Sequence, residues 1–405
     1  MKKICFLIDT PILKSYRSYY ALDALAENGI DYILVDTSPL INKMAHLNVK
    51  KDLIDYNREN VYLCKNWKEL GKVLSQLGQG AVAIDSGSYE LGHLRVYRYL
   101  KKYRIPYGYM ILNSCYETAA QLVDTKTKIK NFIKTINPKK ILNSIFVRLP
   151  RKWSGIDPAS FVISNAATEI DGFKKRFYCN SVTKFLIVHS NAYEEALEHR
   201  TDKRLINEKY CVWIDSYVPY HPDLSQIPGA NIDDESYYRA LRSFFHWIEE
   251  HYDLKVVVAA HPRSDYTKHN EAYEGFQIYK LHTCELVRNA EFVLSAASAS
   301  FLYAITYNKP ILFIYQKALF EGLKCHIDFI NVLANELGTR PLYIDGEEIS
   351  KEKIDRLLVI HKDKYKKIAE KYVKNGFNGK IEGKSYKKQI ADFLRNIKYI
   401  GNIDG

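Results

Sequence analysis

His261 ends the apolar run Lys255-Val-Val-Val-Ala-Ala and is followed at once by Pro262 and Arg263. A run of this kind reads as a strand buried on both faces, and Pro262 turns the chain out of it, which leaves His261 at the carboxyl end. An imidazole there can donate to a phosphate or handle a proton. A lone histidine is more often packed than functional, but the strand-end position beside Pro and Arg weighs towards function. Further along, Phe292 to Ser295 reads as a strand that leads through small residues into a helix from Ser300 to Tyr307. The hydroxyls of Ser295, Ser298 and Ser300, with the free N–H groups of a helix start, make an anion site, although plain serine capping would satisfy the same helix. A third constellation, Val212-Trp-Ile-Asp215-Ser216-Tyr217-Val-Pro-Tyr-His221-Pro-Asp223, gathers polar side chains that either contact a ligand or close a proline-containing turn. In the first half, Ala81-Val-Ala-Ile-Asp85-Ser-Gly87-Ser-Tyr-Glu90 reads as a buried strand ending in an acidic turn. Asp85 is the expected general base, with Glu90, Glu117 and Asp9 as alternatives, and a strand-end carboxylate also caps helices.

These groups are carried by alternating short apolar runs and helical patterns, the signature of a parallel α/β fold. The first series has strands expected at Ile4 to Asp9, Tyr32 to Asp36, Ala81 to Asp85, Tyr107 to Leu112, Phe161 to Ser164 and Phe185 to His189. Its helices are expected at Tyr16 to Glu27, Trp67 to Leu77, Glu90 to Lys102 and Asn191 to Glu198. The second series has strands at Tyr210 to Asp215, Lys255 to Ala260, Phe276 to Tyr279, Phe292 to Ser295, Pro310 to Tyr315 and Pro341 to Ile344. Helices are expected there at Asp234 to His251, Thr283 to Asn289, Ser300 to Tyr307 and Ser350 to Val373. Two such series imply two Rossmann-like domains facing across a cleft, residues 1–205 and 206–375, with a helical tail at 376–405. Ligands of such sheets bind at the carboxyl ends of strands. No Gly-x-Gly-x-x-Gly and no Gly-x-x-x-x-Gly-Lys-Ser/Thr occurs, which argues against a dehydrogenase or a P-loop nucleotidase.

The 405 residues, 47% hydrophobic and 26% charged, carry a net charge of +12 that is unevenly placed. Residues 125–156 hold nine Lys or Arg and no acid, and residues 351–400 hold fifteen against six acids, so the remainder is mildly acidic. In the strip from Lys126 to Lys152 the cations alternate with Ile, Leu, Phe and Trp, the composition of a segment lying on an anionic membrane surface or of a solvated helix completing the core. No nucleic-acid-binding motif accompanies the charge, so nucleic acid is not an expected partner. The seven cysteines are far apart with no Cys-x-x-Cys pair, and buried thiols are expected. No run is long enough to span a bilayer, and the apolar stretch Ile4 to Ile8 is too short for a signal peptide. A cytoplasmic location is expected, peripheral at the inner face of the membrane if the basic strip engages it.

The pair His261-Pro262 and Ser298 with Ser300 resembles the His-Pro and Ser-Ser/Thr motifs of bacterial sialyltransferases, polysialyltransferases and Kdo transferases of capsule synthesis. Here Ala299 separates two serines that are adjacent in the family pattern, and the resemblance spans roughly residues 205 to 320. Asn308-Lys309-Pro310-Ile-Leu-Phe-Ile also looks like the helix-to-strand pattern of nucleotide-sugar glycosyltransferases. The resemblance implies a GT-B glycosyltransferase that moves a nonulosonic acid or Kdo-type sugar from a CMP-sugar to a hydroxyl of a bacterial surface glycan. On that reading Asp215, Ser216, His261, Pro262, Arg263, Ser295, Ser298 and Ser300 contact the donor, Asp85 takes the acceptor proton, and Glu90 and Glu117 lie on the acceptor side. It implies no metal and no cofactor besides the CMP-sugar as donor substrate, and no Asp-x-Asp motif is present. The alternatives are a GT-B transferase using a UDP-, GDP- or CDP-linked donor, including CDP-polyol phosphate transfer, and a non-catalytic nucleotide-sugar-binding protein of polysaccharide assembly.

Overall fold

Continuous apolar runs dominate this chain because its strands are parallel, and a parallel strand covered on both faces has no polar side to show. The computed structural model describes residues 3–13, 16–20, 22–48, 54–56, 58–112, 138–165, 170–221, 224, 230–296 and 298–398. Glu117, Asp223 and the cations from Lys126 to Lys134 lie outside the described residues. Among the described residues the chain divides into two units, each with its own sheet: residues within 3–112, 138–188 and 384–398 in the first, and within 189–383 in the second.

The first unit holds seven parallel strands, β1 (Lys3–Ile8), β2 (Tyr32–Asp36), β3 (Val61–Leu63), β4 (Ala81–Asp85), β5 (Tyr107–Ile111), β6 (Phe161–Ser164) and β7 (Lys184–Ile187), in the order β3-β2-β1-β4-β5-β6-β7. Period-2 alternation sorts β1 between two cores. Cys5 and Leu7 pack with Val96, Tyr97 and Leu100, whereas Ile4, Phe6 and Ile8 pack with Tyr386, Ile390 and Leu394. The C-terminal helix Tyr386–Arg395, read from the sequence as part of a separate tail, therefore covers one face of the first sheet. The short edge strand β3 has no buried residue, which is why no apolar run announces it.

The second unit holds six parallel strands, β8 (Tyr210–Ile214), β9 (Lys255–Ala260), β10 (Gln277–Lys280), β11 (Val293–Ser295), β12 (Ile311–Tyr315) and β13 (Leu342–Tyr343), ordered β10-β9-β8-β11-β12-β13. The expected architecture of two Rossmann-like α/β units is thus present. Residues 189–205, read from the sequence as the end of the first domain, fall in the second unit, where Ala192, Tyr193 and Ala196 join its core. Helix Asp234–Tyr252 starts on Asp233, whose carboxylate accepts from Ser236 N–H, and buries Tyr237, Tyr238, Leu241, Phe244, Phe245 and Ile248. The expected long helix from Ser350 to Val373 is instead Lys351–Leu357, Lys362–Ile368 and a π-helical turn Ala369–Val373, with the break at β-branched Val359 and Ile360. Cys5, Cys64, Cys179, Cys211 and Cys284 are free thiols, and all but Cys179 are buried. Among the described residues no helix is long and apolar enough to cross a membrane.

Candidate functional site

Each sheet reverses its strand order once, between β1 and β4 in the first unit and between β8 and β11 in the second. Helices leave opposite faces of the sheet at such a point, so the carboxyl ends of the two flanking strands open a crevice for a ligand.

In the second unit, β8 delivers Asp215 to this edge. Its Oδ1 accepts from Tyr217 N–H at 2.8 Å and Tyr273 Oη–H at 3.0 Å, and its Oδ2 from Tyr266 Oη–H at 2.7 Å and His261 N–H at 3.3 Å. The bond to the residue two positions on is an Asx turn, and it holds Tyr217 in the left-handed region at φ 52°. Burial pushes the Asp215 carboxyl up from its ordinary value, against the pull of these hydrogen bonds. Asp215 thus ties the ends of β8 and β9 together. The bond that it makes to β9 fixes the backbone of His261.

The His261 ring accepts Arg263 N–H at Nδ1, 3.1 Å, within a turn closed by Ser264 N–H on His261 O. Burial, with help from His221, Arg263 and Lys280, pushes its pKa down to about 3, so the ring is neutral at physiological pH. A neutral imidazole that accepts at Nδ1 carries its proton on Nε2, which makes Nε2 a donor. The His221 ring stands edge-on at 5.0 Å, and nearby His326 is held down to about 4 by burial and by His221. Lys280, the last residue of β10, donates from Nζ to Ser264 O at 2.6 Å and so braces the turn.

Buried polar atoms without a partner are rare in folded chains and mark places where a ligand or water completes the set. Among the described residues of the second unit they are Ser216 Oγ and His326 Nδ1, and Tyr237 Oη and Gln316 Nε2 are a second, buried pair that interacts with itself. Ser216 follows β8 and Gln316 follows β12, both at the carboxyl edge, and Tyr237 opens the helix that leaves it. Gln316 and His326 carried no signal in the sequence beyond the strand end that precedes Gln316.

The serine turn is more self-contained than its sequence suggests. Ser295 is fully buried and donates to Ala296 O at 3.1 Å, while Ser298 Oγ accepts Ser300 N–H at 3.3 Å. Ser300 precedes a helix of only six residues, Phe301–Thr306, and makes no side-chain cap. Local capping accounts for the Ser298 contact.

In the first unit the expected base, Asp85, ends β4 but is 3% exposed. It accepts Tyr97 Oη–H at 2.7 Å, and Tyr109 in turn donates to Tyr97 Oη at 3.0 Å. Burial pushes its carboxyl up, opposed by His93 and then by Tyr97. Asp9, at the end of β1, keeps a quarter of its side chain in solvent. Its Oδ1 accepts Ser86 Oγ–H at 3.0 Å, and its own N–H reaches Ser86 Oγ at 3.1 Å, so one serine couples the two strand ends. His93, missed by the sequence reading, is buried with both ring nitrogens unpartnered, and Nε2 lies 3.7 Å from Asp9 Oδ2. Gly87 makes room for the ring, since a Cβ there would come within 2.1 Å of His93 Nε2, a closeness that the sequence does not signal. Glu90 is exposed and accepts Ser88 Oγ–H at 2.7 Å.

The sequence showed no compact metal-ligating cluster, but folding assembles one. His199, Asp202 and Glu285 bring ligand atoms within 4.8 Å of one another. As the side chains stand, Asp202 accepts from His199 Nδ1 at 2.7 Å and raises the His199 pKa, and Arg288 donates to the backbone oxygens of His199 and Asp202. The guanidinium beside these groups opposes a second cation.

No protein-family model matches the chain, and no curated protein matches it. Among solved structures it is similar to a putative UDP-N-acetylglucosamine 2-epimerase from Listeria monocytogenes, at 10% identity and a TM-score of 0.47, covering 100% of both chains. It is similar as well to MnaA of S. aureus, solved with UDP, at 14% identity and a TM-score of 0.46, covering 99% of this chain and 100% of that one. The wall teichoic acid polymerase TagF, solved with CDPG, gives 13% identity and a TM-score of 0.45, with 97% of this chain and 88% of that one covered. Likeness at this level assigns no reaction, and the functional reading rests on the two strand edges.

Proposed function

We propose that the chain is a glycosyltransferase that takes a sugar from a nucleotide-linked donor and that the donor's phosphate docks at the carboxyl edge of the second sheet. The observation that carries this reading is His261, a neutral imidazole whose Nε2–H is free to donate at the carboxyl edge that also holds the unpartnered Ser216 hydroxyl. As the bond between the sugar and the phosphate oxygen breaks, negative charge collects on the leaving phosphate. A donor already aimed at that oxygen stabilises the charge without reorganising. Asp215 acts one step back, because it holds the backbone from which the imidazole projects.

The acceptor hydroxyl must lose a proton as it attacks. Of the described carboxylates read from the sequence as bases, Asp9 fits that role better than Asp85. Asp9 has solvent access and a histidine beside it, whereas Asp85 is enclosed and committed to Tyr97.

A CMP-linked nonulosonic acid or Kdo is the first donor to test, on the resemblance of His261-Pro262 and of Ser298 with Ser300 to the His-Pro and Ser-Ser/Thr motifs. A second reading, a UDP- or CDP-linked donor, is favoured by the cations Arg263 and Lys280 at the His261 turn, which suit a more highly charged diphosphate. A thermal-shift screen with CMP, CDP, UDP and GDP separates the two. A nucleotide at about 100 times its dissociation constant stabilises the fold by about 2.7 kcal/mol. His261→Ala should abolish that shift and lower turnover roughly 100-fold while leaving the unliganded protein folded. Absence of a shift with any nucleotide would overturn the reading, and binding without sugar transfer would overturn its enzymatic half.

A further inference from the structure

Helix Pro138–Phe146 departs from the rule that an amphipathic helix turns its apolar side inward, since none of its residues is buried. Ile141, Leu142 and Ile145 are exposed, and the chain beyond adds Val147, Leu149 and Trp153, the last two-thirds in solvent at 69%. A contiguous apolar face of this kind on a protein surface marks an interaction site. The segment is held in place from its other side: Phe146 stacks on Tyr89 at 5.0 Å, Asn143 Oδ1 accepts Leu91 N–H at 2.8 Å, and Arg98 donates to Ser154 O at 3.3 Å. These contacts make its outward face a fixed feature of the first unit.

Exposed cations accompany the apolar side chains along the segment: Lys139, Lys140, Arg148 and Lys152. From 138 to 156 there is no acidic residue. Asp157, the next acid, is buried and lies 3.3 Å from Lys101, and exposed Glu90 is the acid beside Leu91.

We propose that this face docks onto an anionic lipid surface, with the leucines, isoleucines and Trp153 entering the headgroup boundary and the cations meeting lipid phosphates. Charge complementarity selects this occupant. A second copy meeting the same face about a two-fold axis would set the same excess of cations against itself, with exposed Glu90 as the acid at its edge. An anionic bilayer supplies both the negative charge and an apolar layer at the depth that the side chains reach.

Sedimentation of the full chain with vesicles reads this directly, and since it needs no turnover it stands or falls apart from the proposed reaction. Vesicles of phosphatidylcholine with about 30% phosphatidylglycerol should bind roughly tenfold or more better than pure phosphatidylcholine at low salt, with the gap closing as salt is raised. Leu142→Asp with Ile145→Asp should remove binding, Lys139→Glu with Lys140→Glu should weaken it several-fold, and neither pair should change the melting temperature because the altered side chains are exposed. Trp153 emission should shift to the blue on anionic vesicles, a change lost in Trp153→Phe. Binding to neither vesicle, equal binding to both, or binding indifferent to the Leu142 and Ile145 changes would overturn the proposal. So would a dimer in solution that those two changes dissociate.

Discussion

The carboxyl edges of the two sheets are built alike and finished differently. Each ends a central strand with a buried aspartate next to the point of strand reversal, Asp85 after β4 and Asp215 after β8, and in each the carboxylate is answered by tyrosine hydroxyls. Each also brings a histidine against that framework, His93 in one and His261 in the other. In the second unit the aspartate is saturated by four donors, and the histidine is fixed as a neutral Nε2 donor by Arg263 N–H. In the first unit the histidine has neither nitrogen hydrogen-bonded and stands next to a second carboxylate, Asp9, a quarter of which is in solvent. The lesson is that the buried strand-end aspartate organises backbone, while chemistry falls to the group that it positions or leaves exposed. On the proposed function, one edge donates to a phosphate and the other accepts a proton.

Exchanging roles within this comparison tests it. Asp9→Asn should lower turnover by about 100-fold or more with nucleotide binding intact, because the amide keeps the shape and loses the basic oxygen. Asp85→Asn keeps an oxygen for Tyr97 and should stay within a few-fold of wild type. The reverse pattern would return Asp85 to the role of base. For stability the order inverts. Asp215→Ala strands two tyrosine hydroxyls and two backbone N–H groups and should cost at least about 3 kcal/mol, while Asp85→Ala should cost about 1–2 kcal/mol. Urea denaturation of the two variants reads the difference directly.

Gly87→Ala is a smaller perturbation aimed at the first edge. A Cβ there meets His93 Nε2 at 2.1 Å, so the ring must move, at about 1–3 kcal/mol, and turnover should fall if His93 positions Asp9. Unchanged turnover would leave His93 a packing residue. The smallest effect is on pH. His261 and His326 are held near 3 and 4 in the folded chain, whereas an unfolded histidine titrates near 6.5, so the unfolded state binds more protons in between. Their contribution is therefore complete above about pH 6.5 and is lost as pH falls towards the folded values. A His261→Asn, His326→Asn double variant should show a shallower loss of stability between about pH 6.5 and 4.5, and an unaltered slope would mean that both rings charge freely in the folded state.

Much of the framework was written locally. Tyr32–Asp36, Ala81–Asp85, Phe161–Ser164 and Lys255–Ala260 stand at the bounds read from their apolar runs, because a strand covered on both faces must be apolar throughout. His261 was placed at a strand end for the same reason. The identity of the partners was not legible. Asp9 and Ser86 meet across 77 residues, Tyr273 reaches Asp215 across 58, and the helix that covers one face of the first sheet comes from the far end of the chain. Asp85 and Asp9 look equivalent as strand-end acids, and only packing decides that one is enclosed by tyrosines and the other open to solvent. Periodicity in a sequence encodes which face of an element is buried. The solvent access and hydrogen-bond partners of one polar atom depend on which distant elements close over it, and in this protein the order of strands around the two points of reversal decides that.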